Sequence, residues 1–220
     1  MPCNLSYNII STGSRGNAVI LDDTVLIDCG VSFKALRPVI RPLKLVLMTH
    51  SHSDHFNKTT VRTLVRERPS LRFGCGPWLA GPLADCGVPK SSIDLVYPNM
   101  MYDYGICRIS PVNLVHSVPN YGYKVHFPDC KVFYATDTAN LNGIHAPNYD
   151  LYMVEANYET DEIKERIAMK KAEGKFIYEF QAMENHLSKE QCDDFIYRNI
   201  GHGGTYVYLH CHQDISEKVS

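Results

Sequence analysis

Residues 45–55 read Leu45-Val46-Leu47-Met48-Thr49-His50-Ser51-His52-Ser53-Asp54-His55, an apolar run that ends in three imidazoles and a carboxylate. Donors packed this closely carry a large charge and desolvation cost unless a cation holds them. Nitrogen and oxygen donors of this kind bind Zn²⁺ at about 2.0–2.2 Å. The apolar run predicts a strand that aims the cluster. Alternate side chains of an extended segment share a face, so His50 and His52 point together, while Asp54 and His55 fall in the following turn and reach a second centre. The order H-x-H-x-D-H thus divides into a pair of ligands for each of two metals. A His-rich tag or metal-sponge tract would lack the strand in front of it.

The rest of the chain offers further donors just after apolar segments: His116 after 107–115, Asp137 after 131–136 and His210 after 205–209. This order resembles that of the metallo-β-lactamase-fold hydrolases. The resemblance implies that His50, His52 and His116 hold one metal, that Asp54, His55 and His210 hold the other, and that Asp137 bridges both. It implies two divalent ions per chain, with Zn²⁺ favoured and Mn²⁺ the alternative. It also implies an α/β architecture, the four-layer αββα sandwich, with the metals in a crevice at the strand ends. Cys211 is a competing soft ligand beside His210, and His212 rivals His210 because either can emerge from the last strand.

Two short segments resemble the small single-domain branch of that family. Ser11-Thr12-Gly13-Ser14-Arg15-Gly16-Asn17-Ala18 is similar to its S-x-S-S-G-N-A opening, with glycines that permit a tight turn. Asn185-His186-Leu187-Ser188 is similar to its N-H-L-S signature. Ser188 is the expected N-cap of a following helix, which places His186 at a helix start that favours anions. These features point to the nuclease and phosphodiesterase side of the family, near ribonuclease Z-like and exonuclease-like proteins. The implied activity is phosphodiester hydrolysis of DNA or RNA strands by a metal-bridging hydroxide. In it Asp54 accepts a hydrogen bond from the nucleophile, while His186 donates to the phosphoryl oxygen or leaving group and Asn185 joins it on the substrate. A cyclic or short nucleotide is the nearest alternative substrate. A thioester or lactam hydrolase and a metal-binding protein without turnover are the other readings. The interval from Asp137 to His210 is too short for the extra domain of larger nucleic-acid processing members, and no tRNA-gripping arm is apparent. Glu155 and Asn157 end an apolar strand and carry two open readings: orienting a ligand histidine from behind, or forming the turn into the next helix.

Composition is consistent with this and does not decide it. The 220 residues are 45% hydrophobic and 21% charged with a net charge of −2, enough for one packed domain over 1–220 and against a bulk polybasic nucleic-acid binder. Lys34, Arg37, Arg41 and Lys44 precede the histidine cluster, and Lys58, Arg62, Arg66, Arg68 and Arg72 follow it. They are read either as a basic rim to the cleft or as solvated helix faces. The eight cysteines show no C-x-x-C pair or framework spacing and are expected to be reduced thiols. Nothing at the N-terminus resembles a signal peptide, and no apolar run approaches the roughly 20 residues of a membrane helix, so the expected location is cytoplasmic. Strands are predicted at 5–10, 18–21, 25–28, 45–49, 71–74, 106–115, 121–127, 131–136, 151–155 and 205–209, and helices at 59–67, 161–173 and 188–200.

Overall fold

The computed structural model describes residues 5–211. Its first sheet runs, in spatial and chain order, β1 (Tyr7–Ser11), β2 (Ala18–Leu21), β3 (Val25–Ile27), β4 (Leu45–Met48), β5 (Arg72–Cys75) and β6 (Ile93–Leu95). The first three strands pair antiparallel and the rest parallel. The second sheet holds β7 (Tyr102–Asp103), β8 (Arg108–Leu114), β9 (Asn120–His126), β10 (Lys131–Ala135), β11 (Leu151–Glu155) and β12 (Thr205–Leu209). Here β7 to β10 form an antiparallel meander, and β11 and β12 add parallel to β10. Parallel strands need crossovers. These are supplied by α1 (Phe33–Leu36), α2 (Lys58–Glu67) and α3 (Pro77–Asp85) on the first sheet, and by α4 (Thr160–Ala172), α5 (Glu179–Asn185) and α6 (Lys189–Asn199) between β11 and β12.

The central strands read as continuous apolar runs because both of their faces are covered. Their alternate residues sort into separate cores. Val19, Leu21, Val25, Ile27, Leu45 and Leu47 face Ile109, Tyr123, Val125, Val132, Tyr134 and Met153 across the sheet interface. Ile20, Leu26, Val46 and Met48 point the other way, against Leu36, Val61, Leu64, Leu79 and Leu83 of the first helical layer. On the far side Phe133, Ala135, Tyr152 and Val154 pack against Cys192, Phe195 and Ile196 of α6. The result is the expected αββα layering. The Tyr123 hydroxyl ties the sheets by donating to the Met48 carbonyl at 2.6 Å.

Apolar periodicity located β2, β11 and β12 to the residue and α2, α4 and α6 to within one. It did not reveal α1, α3, α5, β6 or β7. The α3 sequence, with Pro77 at its start and Gly81 and Pro82 inside, reads as a loop. The other missed elements are too short for a period to develop. Among the described residues, Cys29, Cys75, Cys86, Cys107, Cys192 and Cys211 are free thiols as expected, but Cys130 is disulfide-bonded, which corrects the all-thiol reading. No helix among them is long and apolar enough to cross a membrane.

Candidate metal centre

The donors gather where strands of both sheets end. His50, His52, Asp54 and His55 occupy the loop after β4, His116 follows β8, Asp137 follows β10, Glu155 closes β11 and His210 follows β12. All but the buried Glu155 and the innermost imidazoles His50 and His55 line one cleft of about 770 Å³, which they share with Thr12, Ser14, Arg15, Tyr178, Gln181, Asn185 and His186. Asp28, Asp137 and His210 adopt left-handed backbone conformations (φ 62°, 56° and 50°), a cost of about 1–2 kcal/mol each that neighbouring hydrogen bonds offset. The Asn120 amide donates to the carbonyls of Thr136 and Asp137 at 3.0 and 2.7 Å. The His210 N–H donates to Thr12 Oγ1 at 2.8 Å, and its carbonyl accepts from the Asn157 amide at 3.1 Å.

Three imidazole nitrogens converge. His52 Nδ1 lies 3.2 Å from His50 Nε2 and 3.3 Å from His116 Nε2. A tetrahedral ion with bonds of about 2.0–2.1 Å requires donor separations of about 3.3–3.4 Å, so the trio has the spacing of one coordination face. The opposite nitrogens fix the tautomers. His50 Nδ1 donates to Thr49 Oγ1 at 3.0 Å, Thr49 Oγ1 donates to Asp28 Oδ2 at 2.8 Å, and His116 Nδ1 donates to the Asn185 carbonyl at 3.0 Å. His50 and His116 therefore each present an Nε2 lone pair to the common point, where His52 Nδ1 joins them. Burial, reinforced by the neighbouring His55, pushes His50 down to about 2; burial also lowers His116, so both rings are neutral.

The adjoining group is ionic. His55 is fully buried, donates from Nδ1 to Asp28 Oδ2 at 2.6 Å, and places Nε2 2.8 Å from both Asp137 Oδ2 and the Asn17 amide nitrogen. His210 Nδ1 lies 3.1 Å from Asp137 Oδ1 but off hydrogen-bond alignment, a buried nitrogen without a hydrogen-bond partner. Burial disfavours charge on both rings, yet Asp137, joined by Asp28 at His55, outweighs it. His55 is held well above its ordinary value and His210 is raised to about 9. Burial likewise opposes the Asp137 anion, and the two imidazoles overcome it, keeping the carboxyl well below its usual range. Protonated rings on either side of a buried carboxylate balance charge as divalent cations would. The orphaned His210 nitrogen and the converging trio both fit such ions.

Glu155 is fully buried. Its Oε2 accepts from the Thr138 N–H at 2.9 Å and the Leu187 N–H at 3.3 Å, and its Oε1 accepts from His186 Nδ1 at 2.6 Å. It therefore stands behind the cleft histidines and does not cap α4, whose N-cap, Glu159, makes no side-chain cap. His186 does not open a helix: it is the extended C-cap of α5, 3.6 Å from Asp137 Oδ1, and the helix-start reading is corrected. Ser188 caps α6 with a full capping box, as expected. Asp54 lines the cleft, about a quarter exposed, with its Oδ2 3.8 Å from His55 Nε2. The convergent donors among the described residues form three groups: His50 with His52 and His116, His50 with His55 and Asp137, and Asp137 with Glu155, His186 and His210. Asp54 and Cys211 line the cleft but belong to none of them. His212 and Cys3 lie outside the described residues.

The basic-rim reading is also corrected. None of Lys34, Arg37, Arg41, Lys44, Lys58, Arg62, Arg66, Arg68 and Arg72 lines the cleft, where Arg15 does. Arg68 instead donates to the carbonyls of Ile40, Arg41 and Leu43, and Arg72 pairs with Asp94. Sequence reasoning missed Asp28, which anchors His55 and Thr49, and Asn17, which binds the Gly13 N–H at 2.8 Å and touches His55. The signal for Asp28 was present: an acid followed by Cys29 and Gly30 at the end of an apolar strand.

The layering and the donors at the strand ends define an αββα sandwich built around a candidate metal centre. A family model described as "Beta-lactamase superfamily domain" matches residues 23–174, and the chain belongs to that superfamily. The exodeoxyribonuclease WalJ of Streptococcus pneumoniae, in strains D39 and R6, is 24% identical over 92% of this chain and 80% of its own length. Among solved structures, the metallo-β-lactamase fold protein YhfI of Bacillus subtilis has a TM-score of 0.73 at 15% identity, over 97% of this chain and 90% of its own. The short form of human tRNase Z has a TM-score of 0.67 at 15% identity, over 96% and 93%. These two share the fold.

Proposed function

We propose that this chain is a dinuclear metal-dependent phosphodiester hydrolase acting on DNA or RNA strands, and that the whole chain serves as one hydrolase domain. The observation that carries the reading is the convergence of His50 Nε2, His52 Nδ1 and His116 Nε2, with two of the three tautomers fixed by hydrogen bonds from behind. In this reading His50, His52 and His116 hold one ion, Asp54, His55 and His210 hold the other, and Asp137 serves both. Zn²⁺ suits the donor set and Mn²⁺ is the alternative. When bound, the ions supply Lewis acidity and a nucleophile at neutral pH. The residues do the rest. Asp54, at the cleft surface, accepts a hydrogen bond from the nucleophile and orients it. The His186 ring, held at Nδ1 by Glu155, turns Nε2 toward the cleft and donates to the phosphoryl oxygen or the departing oxygen. Arg15 and Ser14, which line the same cleft, meet the phosphate charge. The exonuclease relative supports a polynucleotide substrate.

The test has two parts. Metal analysis of the purified protein is expected to give two ions per chain, and Asp137→Ala is expected to lose both. Oligonucleotides, a cyclic nucleotide, a thioester and a chromogenic lactam are then compared at matched metal and salt, with strand cleavage expected. Turnover of the cyclic monomer, thioester or lactam without strand cleavage would overturn the nuclease reading.

A further inference from the structure

Four residues of the α5 segment face the cleft together: Tyr178, Gln181, Ala182 and Asn185, at the i, i+3, i+4, i+7 spacing of one helix face. None of them is charged. A second wall, Thr12 to Arg15 with its cation, lines the same cleft, as do imidazoles and carboxylates of the metal centre. One wall therefore suits a phosphate. The other offers an aromatic ring and amides, and calls for a flat polar ring.

Tyr178, which lines this cleft and a smaller neighbouring pocket, is 46% exposed, although an aromatic side chain ordinarily gains from burial. It is also held in place. The Lys170 ammonium lies 3.7 Å from the ring centroid, and Lys170 is in turn fixed 2.6 Å from a carboxylate oxygen of the buried Glu179. The cation occupies one face of the ring of this cleft-lining residue, so a ligand stacking on the other face would find a side chain already ordered. A cleft of about 770 Å³ has room for a whole nucleotide beside the metal centre.

We propose that this wall of α5 is a nucleobase subsite, in which Tyr178 stacks one unpaired base of the strand whose neighbouring phosphate lies at the metal centre, while Gln181 and Asn185 offer amides to the base edge. The proposal rests on the phosphodiester-hydrolase reading above and adds to it the unit of substrate that is gripped. Stacking is tolerant of base identity, because every base has a π-face.

The test uses the full-length metal-loaded protein and a phosphorothioate strand that resists cleavage, carrying either 2-aminopurine or abasic sugars at successive positions. The wild type is expected to quench 2-aminopurine on binding and to bind the abasic strand about tenfold more weakly. Tyr178→Phe is expected to keep the quench. Tyr178→Ala and Tyr178→Leu are expected to lose it and to bring the two strands within about twofold of each other in Kd. Quenching that survives Tyr178→Ala, or equal loss of affinity for both strands, overturns the subsite. If the wild type cleaves ordinary strands while either result holds, only the subsite falls. If the wild type neither binds nor cleaves any strand, the hydrolase reading falls with it.

Discussion

Replacing Asp28 by Asn changes one atom and removes the acceptor of two hydrogen bonds. In the native chain Asp28 Oδ1 accepts from the Thr49 N–H at 2.9 Å, while Oδ2 accepts from Thr49 Oγ1 at 2.8 Å and His55 Nδ1 at 2.6 Å. An asparagine here must keep its oxygen toward the Thr49 N–H, a backbone donor that cannot turn away, whereas the Thr49 hydroxyl facing the other position can rotate. Its NH₂ then faces His55 Nδ1, which has to become the acceptor, and the ring proton moves to Nε2, the atom that faces Asp137. A proton there competes directly with an ion. Partners behind a metal-binding histidine are worth about 10–100-fold in affinity, about 1.4–2.7 kcal/mol, and Asp28→Asn is expected to weaken the His55 ion by at least that much. Its stability should fall less than that of Asp28→Ala, which leaves every one of these buried donors without an acceptor and is expected to cost about 3–5 kcal/mol. Zinc titration calorimetry, metal content after dialysis, and urea unfolding of the metal-free protein check both quantities. An Asp28→Asn protein that retains two ions at wild-type affinity would refute the tautomer argument, as would an Asp28→Ala protein no less stable than Asp28→Asn.

Glu155→Gln and His186→Ala should each lower turnover by about 10²-fold with metal content intact, and the double variant should cost no more than either alone; additive losses would show that the two residues act separately. Because His210 is raised to about 9 in the ion-free chain, an ion binding there displaces a proton. The sign follows: below about pH 9 the ring is protonated, so metal affinity should rise with pH up to that value and level off above it. Calorimetry in buffers of different ionisation enthalpy should detect proton release at neutral pH, and equal heats would contradict the assignment. Gly30→Ala should destabilise the fold severely, because a Cβ at Gly30 would sit 1.6 Å from the Asp54 carbonyl oxygen and force apart the loop that carries His52 to His55. Thermal unfolding of the variant checks this, and an unchanged Tm would count against the packing described for that loop.

What was legible in the sequence follows physical lines. The long central strands, buried on both faces, announce themselves as apolar runs, and the histidine cluster stands out because several donors fall within one turn. His116, Asp137 and His210 could be located only because each follows such a run. Asp28 carries a local mark, an acid before Cys29 and Gly30 at the end of an apolar strand, but its partner is a ring 27 positions away that the mark does not name. The placing of His186 failed because α5, the short helix it terminates, carries too few residues to show a period, so the histidine was attached to the next helix. The basic residues misled for a related reason: charge is visible in a sequence, but the side of a helix it occupies relative to a distant cleft is not.

The division of the donors between the sheets also bears on assembly. The first sheet contributes His50, His52, Asp54 and His55, and the second contributes His116, Asp137, Glu155 and His210. An ion shared across that boundary acts as a removable cross-link, closing loops between points far apart in the chain, where the entropy of closure is largest. Neither half alone would hold the full complement, so tight metal uptake should coincide with docking of the two sheets. In a folding time course, metal binding would then act as a clock for the last long-range step.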